Sequence, residues 1–458
     1  MDLPATLHRR FSLQLLLLVG VSYVVVARLG ERGLVLVLAL FIAALPFLLR
    51  PLIEPLQREA LGALFLLLVA CYAETIDTAF GWQQRVSTVI LLMGAVYIVQ
   101  RRRAALEVLY TPVGILLTLF FVQQALNALA LTEDDQVRVI ENRASILLTA
   151  LAIAVLVRQP GGEKLVPAVA LLAFAMSVPV LLREVNDPNL LYERDLLFVG
   201  QDARAGGFYR QPNNAGVALT FGLAFAWTLA PKRSTLLLIV VLLGAGIFCC
   251  ASRGALGIFA VLALFGTLAG RLRVGDRRAI AFILLALLPL TVFRAPVAAG
   301  LVRVTDALQG HVPAIARLQE VIVAFSGDTS ELTDDDSQRI GIAQQAIHAI
   351  AERPIFGHGT ANFFINENEQ RSHVQFLEVL GENGLVGGAF YAALLAALAV
   401  AAVRAPRDLR LGALMVFGAW FLTNFDNHNI VDTRFLIVPL AYVWGLDAKR
   451  EPDPLAEA

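Results

Sequence analysis

The 458-residue chain reads as an all-α polytopic membrane protein, with about 12–14 transmembrane helices and a large helical insertion outside the membrane. Three observations predict this. Hydrophobic residues make up 58% of the chain and charged ones 16%, whereas a soluble domain carries about a quarter charged. Apolar stretches recur along nearly the whole length, and a span needs about 20 residues to cross a hydrocarbon core about 30 Å thick. Lys and Arg collect in alternate loops, as they do when short basic loops stay cytoplasmic.

In chain order, the apolar segments are Phe11 to Ala27, Gly33 to Leu49, Leu61 to Tyr72, Ser87 to Gln100, Val108 to Leu131, Ala144 to Val157 and Leu165 to Leu182. Then follow Ala215 to Ala230, Thr235 to Ala251, Ala255 to Ala269, Ala279 to Phe293, Leu385 to Val403, Leu411 to Phe425 and Phe435 to Leu446. Some are short for a span, so pairs such as the first two are candidates for broken or re-entrant helices.

Arg9 and Arg10, Arg101 to Arg103, Lys232 and Arg233, the run RLRVGDRR from Arg271, and Arg404, Arg407 and Arg410 fall on one side, making both ends of the chain cytoplasmic. The opposite loops are TEDDQ from Thr132, Arg183 to Asn214, and a long insertion from Arg294 to Gly384. The expected organisation is N-terminal spans over 1–293, a periplasmic insertion with amphipathic helices over 294–384, C-terminal spans over 385–446 and a cytoplasmic tail over 447–458. The insertion then faces the exterior, which in a Gram-negative cell, with the chain in its inner membrane, is the periplasm. The first segment lacks a small-residue cleavage site and is read as a helix rather than a signal.

Composition excludes several classes of function. Cys71, Cys249 and Cys250 sit in apolar segments, so neither a disulfide framework nor a cysteine zinc site is available to the exterior loops. A formal net charge of zero and the lack of a recognisable motif argue against nucleic-acid binding. No Gly-rich nucleotide loop lies between a strand and a helix, which argues against a nucleotide-sugar donor.

Within the insertion, an acidic run from Thr333 to Ser337 precedes QRIGIAQQAIHAIAERP. Ile340, Ala343, Ile347, Ile350 and Ala351 form one apolar face at helical spacing, with Asp336 or Ser337 as cap and Pro354 as stop. Such an amphipathic helix lies on the membrane or on the other spans. FGHGTANFF follows as a turn. RSHVQFLEVLGENGLVGG then starts as a helix with His373, Leu377 and Leu380 on one side, and its Gly pairs permit close helix contact.

Four features capable of holding an anion fall at the exterior face. Arg204 and Arg210 lie in ARAGGFYRQPNNAG, just before a span that Asn213 or Asn214 can cap, and a helix N-terminus attracts phosphate. Ser252 can cap the span after ASRGAL, where Arg253 stands between two apolar runs, a costly place for a cation without a polar cavity or anion. Arg339 opens the amphipathic helix. His373 precedes re-entry into the membrane, flanked by Arg371 and Ser372. Taken singly, a boundary Arg more often snorkels to headgroups and a loop His is more often solvated; only convergence raises the functional reading. The Asp334 to Asp336 run is explained by a solvated helix start, so no metal site is assigned. His311, His348 and His358 are too dispersed for a ligand set, and His428 with Asp426 and Asp432 occupies a short exterior loop.

These stretches, in their order around one large exterior loop, resemble the O-antigen ligase family of membrane glycosyltransferases, which shares a domain with O-antigen polymerases and protein O-oligosaccharyltransferases. The carriers are ARAGGFYRQPNNAG, ASRGAL, DDSQRIGIAQQAI with PIFGHG behind it, and SHVQFLEVLGENGLVG. The resemblance implies a GT-C-like enzyme that moves O-antigen from undecaprenyl diphosphate to the lipid A core at the periplasmic face, with no metal, nucleotide or other cofactor. It assigns the essential His to His373 and the essential arginines to Arg210 and Arg339. Arg204 and Arg253 are supporting matches, and Asn213 and Asn214 join them as diphosphate-binding candidates. The Asn that usually follows the family's His is replaced by Val374. Rival readings are a polymerase with a second lipid-linked glycan as acceptor, a protein O-oligosaccharyltransferase, and a transporter. The last would hold its charges near mid-span.

Overall fold

The computed structural model describes residues 5–76, 85–129, 132–185, 205–209, 211–229, 233–250, 252–272, 334–360, 363, 374–425, 431 and 433–449. The expected span from Ala279 to Phe293, most of the insertion and the tail after Lys449 lie outside them. Among the described residues, every regular element is helical.

Helices α1 (Ala5–Leu29) and α2 (Glu31–Leu48) reverse at Gly30, whose φ is 56°. Gly33 packs directly on the backbone of Val25 and Val26. The first two segments are therefore a helical hairpin and not one broken span. The break comes later, where α2 bends by 72° into Arg50–Arg58, which contains α3 (Ile53–Arg58).

Next are α4 (Ala60–Ala70), α5 (Arg85–Gln100) and a second bent pair, α6 (Arg102–Leu109) and α7 (Pro112–Ala128), turned by 81°. The Thr111 hydroxyl accepts the Gly114 N–H at 3.2 Å, and Pro112 fills the first helical position. That cap places the helix start at Pro112, so the segment expected from Val108 is divided between α6 and α7.

The remaining helices are α8 (Glu133–Arg158), α9 (Gly162–Ala175), α10 (Ser177–Glu184), α11 (Pro212–Thr228), α12 (Arg233–Cys250), α13 (Arg253–Leu272), α14 (Asp334–Glu352), α15 (Gln375–Arg404), α16 (Arg410–Thr423) and α17 (Val438–Ala448). Among the described residues, four stretches, Asp134–Arg158, Gly162–Glu184, Arg233–Cys250 and Gln375–Arg404, are long and apolar enough to cross a membrane, rising to six if each bent pair is one span. The chain is a helical multi-pass membrane protein. A total of 12–14 crossings, estimated as about 20 apolar residues per span, requires the shorter apolar helices to cross as well.

Helices α9, α11 and α17 are buried almost all round and form the centre. Rim helices behave differently. On α5, Val89, Leu92, Val96 and Val99 are exposed, and on α7 Ile115, Leu119, Val122 and Leu126. Exposed apolar stripes at helical spacing are what lipid-facing helices present.

The bundle has two ends. At one, Arg101 pairs with Glu59 at 2.6 Å, Arg158 with Glu107, and Lys449 with Glu163. Gly412, near the start of α16, packs on Thr228, the last residue of α11, so these two helices run antiparallel. This basic end contains Arg101 to Arg103 and Arg404 to Arg410. The opposite, distal end gathers the C-terminal ends of α4, α10, α12 and α16 with the N-terminal ends of α5, α11, α13 and α15.

Candidate functional site

The distal end is organised around a strap, Ala205 to Tyr209, that lies just before α11. Its main chain is held from several sides. The Ala205 N–H donates to the Cys249 carbonyl at 3.0 Å, and the N–H groups of Gly206 and Gly207 donate to Oε2 of Glu184 at 3.1 and 2.7 Å. The Thr75 hydroxyl donates to the Phe208 carbonyl, and the Tyr209 hydroxyl to the Ala70 carbonyl at 2.7 Å. Burial pushes the Tyr209 phenol well above its ordinary range, so it remains a protonated donor.

Neither Asn213 nor Asn214 caps α11. The cap position is Gln211, which makes no side-chain cap bond, with Pro212 at the first helical position; the two asparagines stand inside the first turn. Asn214 Nδ2 instead donates back to Gln211 Oε1 at 3.4 Å. Pro sets the start one residue earlier than the Asn pair, because its fixed φ and missing N–H suit the first helical position.

The first turns of α11 and α13 touch. A Cβ built on Gly216 would lie 2.7 Å from the Ala255 Cβ and 3.1 Å from the Ser252 Cβ. The expected Ser252 cap is not made, since its buried hydroxyl has no hydrogen-bond partner among the described residues. Two positive helix ends thus stand side by side, an arrangement that attracts an anion.

The start of α15 belongs to the same end. The Gln375 N–H donates to the Asn424 carbonyl at 2.9 Å, and Trp420 Nε1 to the Leu436 carbonyl at 3.1 Å. The neighbouring Phe435 ring lies 4.7 Å from Tyr209. Contacts therefore run without interruption from Tyr209 on the strap to Gln375 at the head of α15.

Helix α14 reaches this assembly through its C-terminal turn. Helix α15 is broken at Gly384 (φ 61°, ψ −162°), and the break frees main-chain groups that the turn satisfies. His358 and Gly359 donate to the carbonyls of Gly381 and Glu382 at 2.8 and 2.9 Å, while Leu385 and Val386 donate to those of Pro354 and Ile355 at 2.7 and 3.2 Å. Gly357 (φ 72°) faces Gly384, and a Cβ on either would meet the other segment's backbone. His358 Nε2 donates to the Ala349 carbonyl at 2.8 Å, so this His ties the turn to its own helix.

The face that α14 buries is not the predicted one. Ile342 and Ala346 are inside, Ile347 is 59% exposed and Ala351 is exposed. Near a membrane surface, an outward Ile meets lipid, so hydrophobicity alone does not point inward. On α15, similarly, Leu377 and Leu380 are only half-buried, and the buried positions are Gln375, Glu378, Val379, Glu382 and Asn383.

Of the predicted site residues, Arg204, Arg210 and His373 lie outside the described residues, as do Arg371, Asp426 and His428. Arg253 is the first residue of α13 and Arg339 stands near the start of α14; only their places in the helices are described. The described neighbours of Arg204, Arg210, Arg253 and His373, namely Ala205, Tyr209, Gln211, Ser252 and Val374, all belong to the distal end. Sequence reasoning missed Glu184, Glu378 and Glu382, each at most 4% exposed. It also missed Arg434, which bonds Glu74 at 2.5 Å and Ser87 at 2.8 Å. Three glutamates at helix positions inside an apolar protein were the available signal, because buried carboxylates require partners.

With this geometry in view, residues 237–392 match the Wzy_C family model, described as O-Antigen ligase. The chain is similar to that family over this stretch, about a third of its length. The matched stretch begins in α12 and ends in α15, so it includes Arg253, Arg339 and His373, while the strap and the first turn of α11 precede it. Members of the family are glycosyltransferase-like enzymes of lipopolysaccharide biosynthesis. No curated protein matches the chain.

Proposed function

We propose that the chain is an O-antigen ligase, transferring glycan from undecaprenyl diphosphate to the lipid A core at the periplasmic face of the inner membrane. The Wzy_C match supports the family level of this reading. The observation that carries the rest is the run of contacts joining the strap, the paired first turns of α11 and α13, and the head of α15 at the end opposite the basic one. By the positive-inside rule, the basic end is cytoplasmic and the distal end periplasmic.

The chemistry follows from the donor. Its sugar C1 is already bonded to a diphosphate, so departure requires charge neutralisation more than protonation. Arg210 and Arg339, with Arg204 and Arg253 in support, supply this without a metal, because bidentate guanidinium contacts strengthen as charge builds on the leaving oxygen. Asn213 and Asn214 sit in the first turn of α11, where main-chain N–H groups add to the positive field. His373 takes the proton from the acceptor hydroxyl. Attack opposite the diphosphate inverts the anomeric centre.

Purified protein with undecaprenyl-diphosphate-linked glycan and lipid A core, assayed in EDTA, tests the reading directly. Arg210→Ala and Arg339→Ala should each abolish transfer with the protein still folded, and Lys at either position should recover part of it. Full activity in an Ala variant removes that arginine from the site. Product extended on a second lipid-linked glycan would instead mean a polymerase. Loss of transfer in EDTA, restored by a divalent ion, would return Asp334 to Asp336 to consideration.

A further inference from the structure

Glu184 closes α10 and is 4% exposed. An ionised carboxylate is strongly disfavoured in such a place unless it is hydrogen-bonded. Here Oε2 takes two consecutive main-chain N–H groups, Gly206 at 3.1 Å and Gly207 at 2.7 Å. Successive N–H groups converging on one point form an anion-binding nest. Gly207 has φ 54°, the left-handed conformation the nest requires, and a Cβ there would crowd Leu181 at 3.0 Å. The nest is therefore occupied by the protein's own anion.

The strap has other anchors. Ala205 is tied to Cys249 and Phe208 to Thr75, so the loss of Glu184 would release one side of the segment without detaching it. A carboxylate repels a diphosphate and has no direct use in holding one. Through the Gly206 and Gly207 bonds it acts on the backbone that it fixes.

We propose that Glu184 is a positioning residue of the transfer site, setting the main chain that leads into Arg210 by filling the Gly206–Gly207 nest. This rests on the functional reading above.

The test uses the full chain in detergent and compares Glu184→Ala with Glu184→Gln. The readouts are hydrogen exchange of the peptide spanning 205–209, unfolding temperature, and turnover per folded molecule. In Glu184→Ala, strap exchange should rise and turnover fall by about 10- to 100-fold, the scale on which small misplacements act. Gln keeps an acceptor oxygen, so Glu184→Gln should restore both protection and most of the turnover. Gly207→Ala disturbs the nest from the strap side and should pair loosened exchange with lost turnover in the same way. Unchanged turnover in Glu184→Ala or Gly207→Ala, despite a loosened strap, would overturn the positioning role while an active parent chain left the ligase reading standing. A parent chain that transferred nothing to lipid A core would sink that reading and the role with it.

Discussion

The two ends of the bundle are held together by different means. At the basic end, side-chain ions close the structure: Glu59 takes the Tyr97 hydroxyl at 2.7 Å and Arg101 at 2.6 Å, Arg158 joins Glu107 to the Ala448 carbonyl, and Lys449 joins Glu163 to the Gln159 carbonyl. Trp444 adds a bond to Thr111 at 2.8 Å, fixing α17 to the joint between α6 and α7. At the distal end, ion pairs also occur, Arg434–Glu74 and Arg138–Asp135, and among the described residues backbone groups join the elements around the candidate site as well. Glu184 binds N–H groups, α14 docks on α15 by four main-chain bonds, and Gln375 meets Asn424 through the backbone. The contrast teaches that cations at the basic end are engaged in holding helices. Main-chain bonds hold the described part of the distal end, so exchanging the candidate cations proposed there should change activity more than stability.

Substitutions that separate activity from stability test the contrast. The largest effect is expected at His373. The general-base role proposed for it is worth about 10²–10⁴ in rate, so His373→Ala should lose that much turnover with its unfolding temperature nearly unchanged. His373→Gln should be almost as inactive, since an amide accepts no proton at neutral pH. Near wild-type transfer by the Gln variant would make His373 a positioning group.

Next comes Gly384→Ala, which forces a side chain into a left-handed conformation against the backbone of Ile355 and Gly357. A loss of about 3 kcal/mol is expected, with α14 released from α15. Denaturation in detergent measures the first, and protease sensitivity near Pro354 the second. A stable variant with α14 still docked would refute the main-chain account of this end.

Smaller still is Glu59→Gln at the basic end. It removes the charge that Arg101 and Tyr97 share and should cost about 1–2 kcal/mol. Turnover per folded molecule should not change. A loss of transfer without a loss of stability would show the two ends to be coupled.

Least of all is Arg58→Ala, whose pair with Glu54 has side chains 60% and 71% exposed. Its expected effect is below about 0.5 kcal/mol. A larger change in melting would mean that this bend, after the 72° turn of α2, carries more of the fold than its exposure implies.

How much of this was legible in the sequence differs from residue to residue. Gly30 falls in the gap between the first two apolar segments, whereas the Thr111–Pro112 pair is a local boundary signal that the segment read from Val108 ran through. Pro354 ends α14 as expected. The Asn213–Asn214 pair misled, because Pro212 is the first helical residue and moves the cap to Gln211, two residues before Asn213. For the candidate site, the motifs around the strap, Ser252 and Val374 could be picked out, but not the contacts that unite them.

The sequence by itself determined which segments are apolar, where most helices start and stop, and which loops are basic. These depend on a residue and its near neighbours. Only the tertiary structure decided which face each helix turns inward, since lipid and protein interior are both apolar and a Leu or Ile fits either; Ile342 went in and Ile347 went out for this reason. It also decided that Glu184 meets Gly206 and Gly207, and that Arg434 meets Glu74 across 360 positions of chain. A buried charge is tolerated only when packing brings it a partner, and no local pattern carries that information.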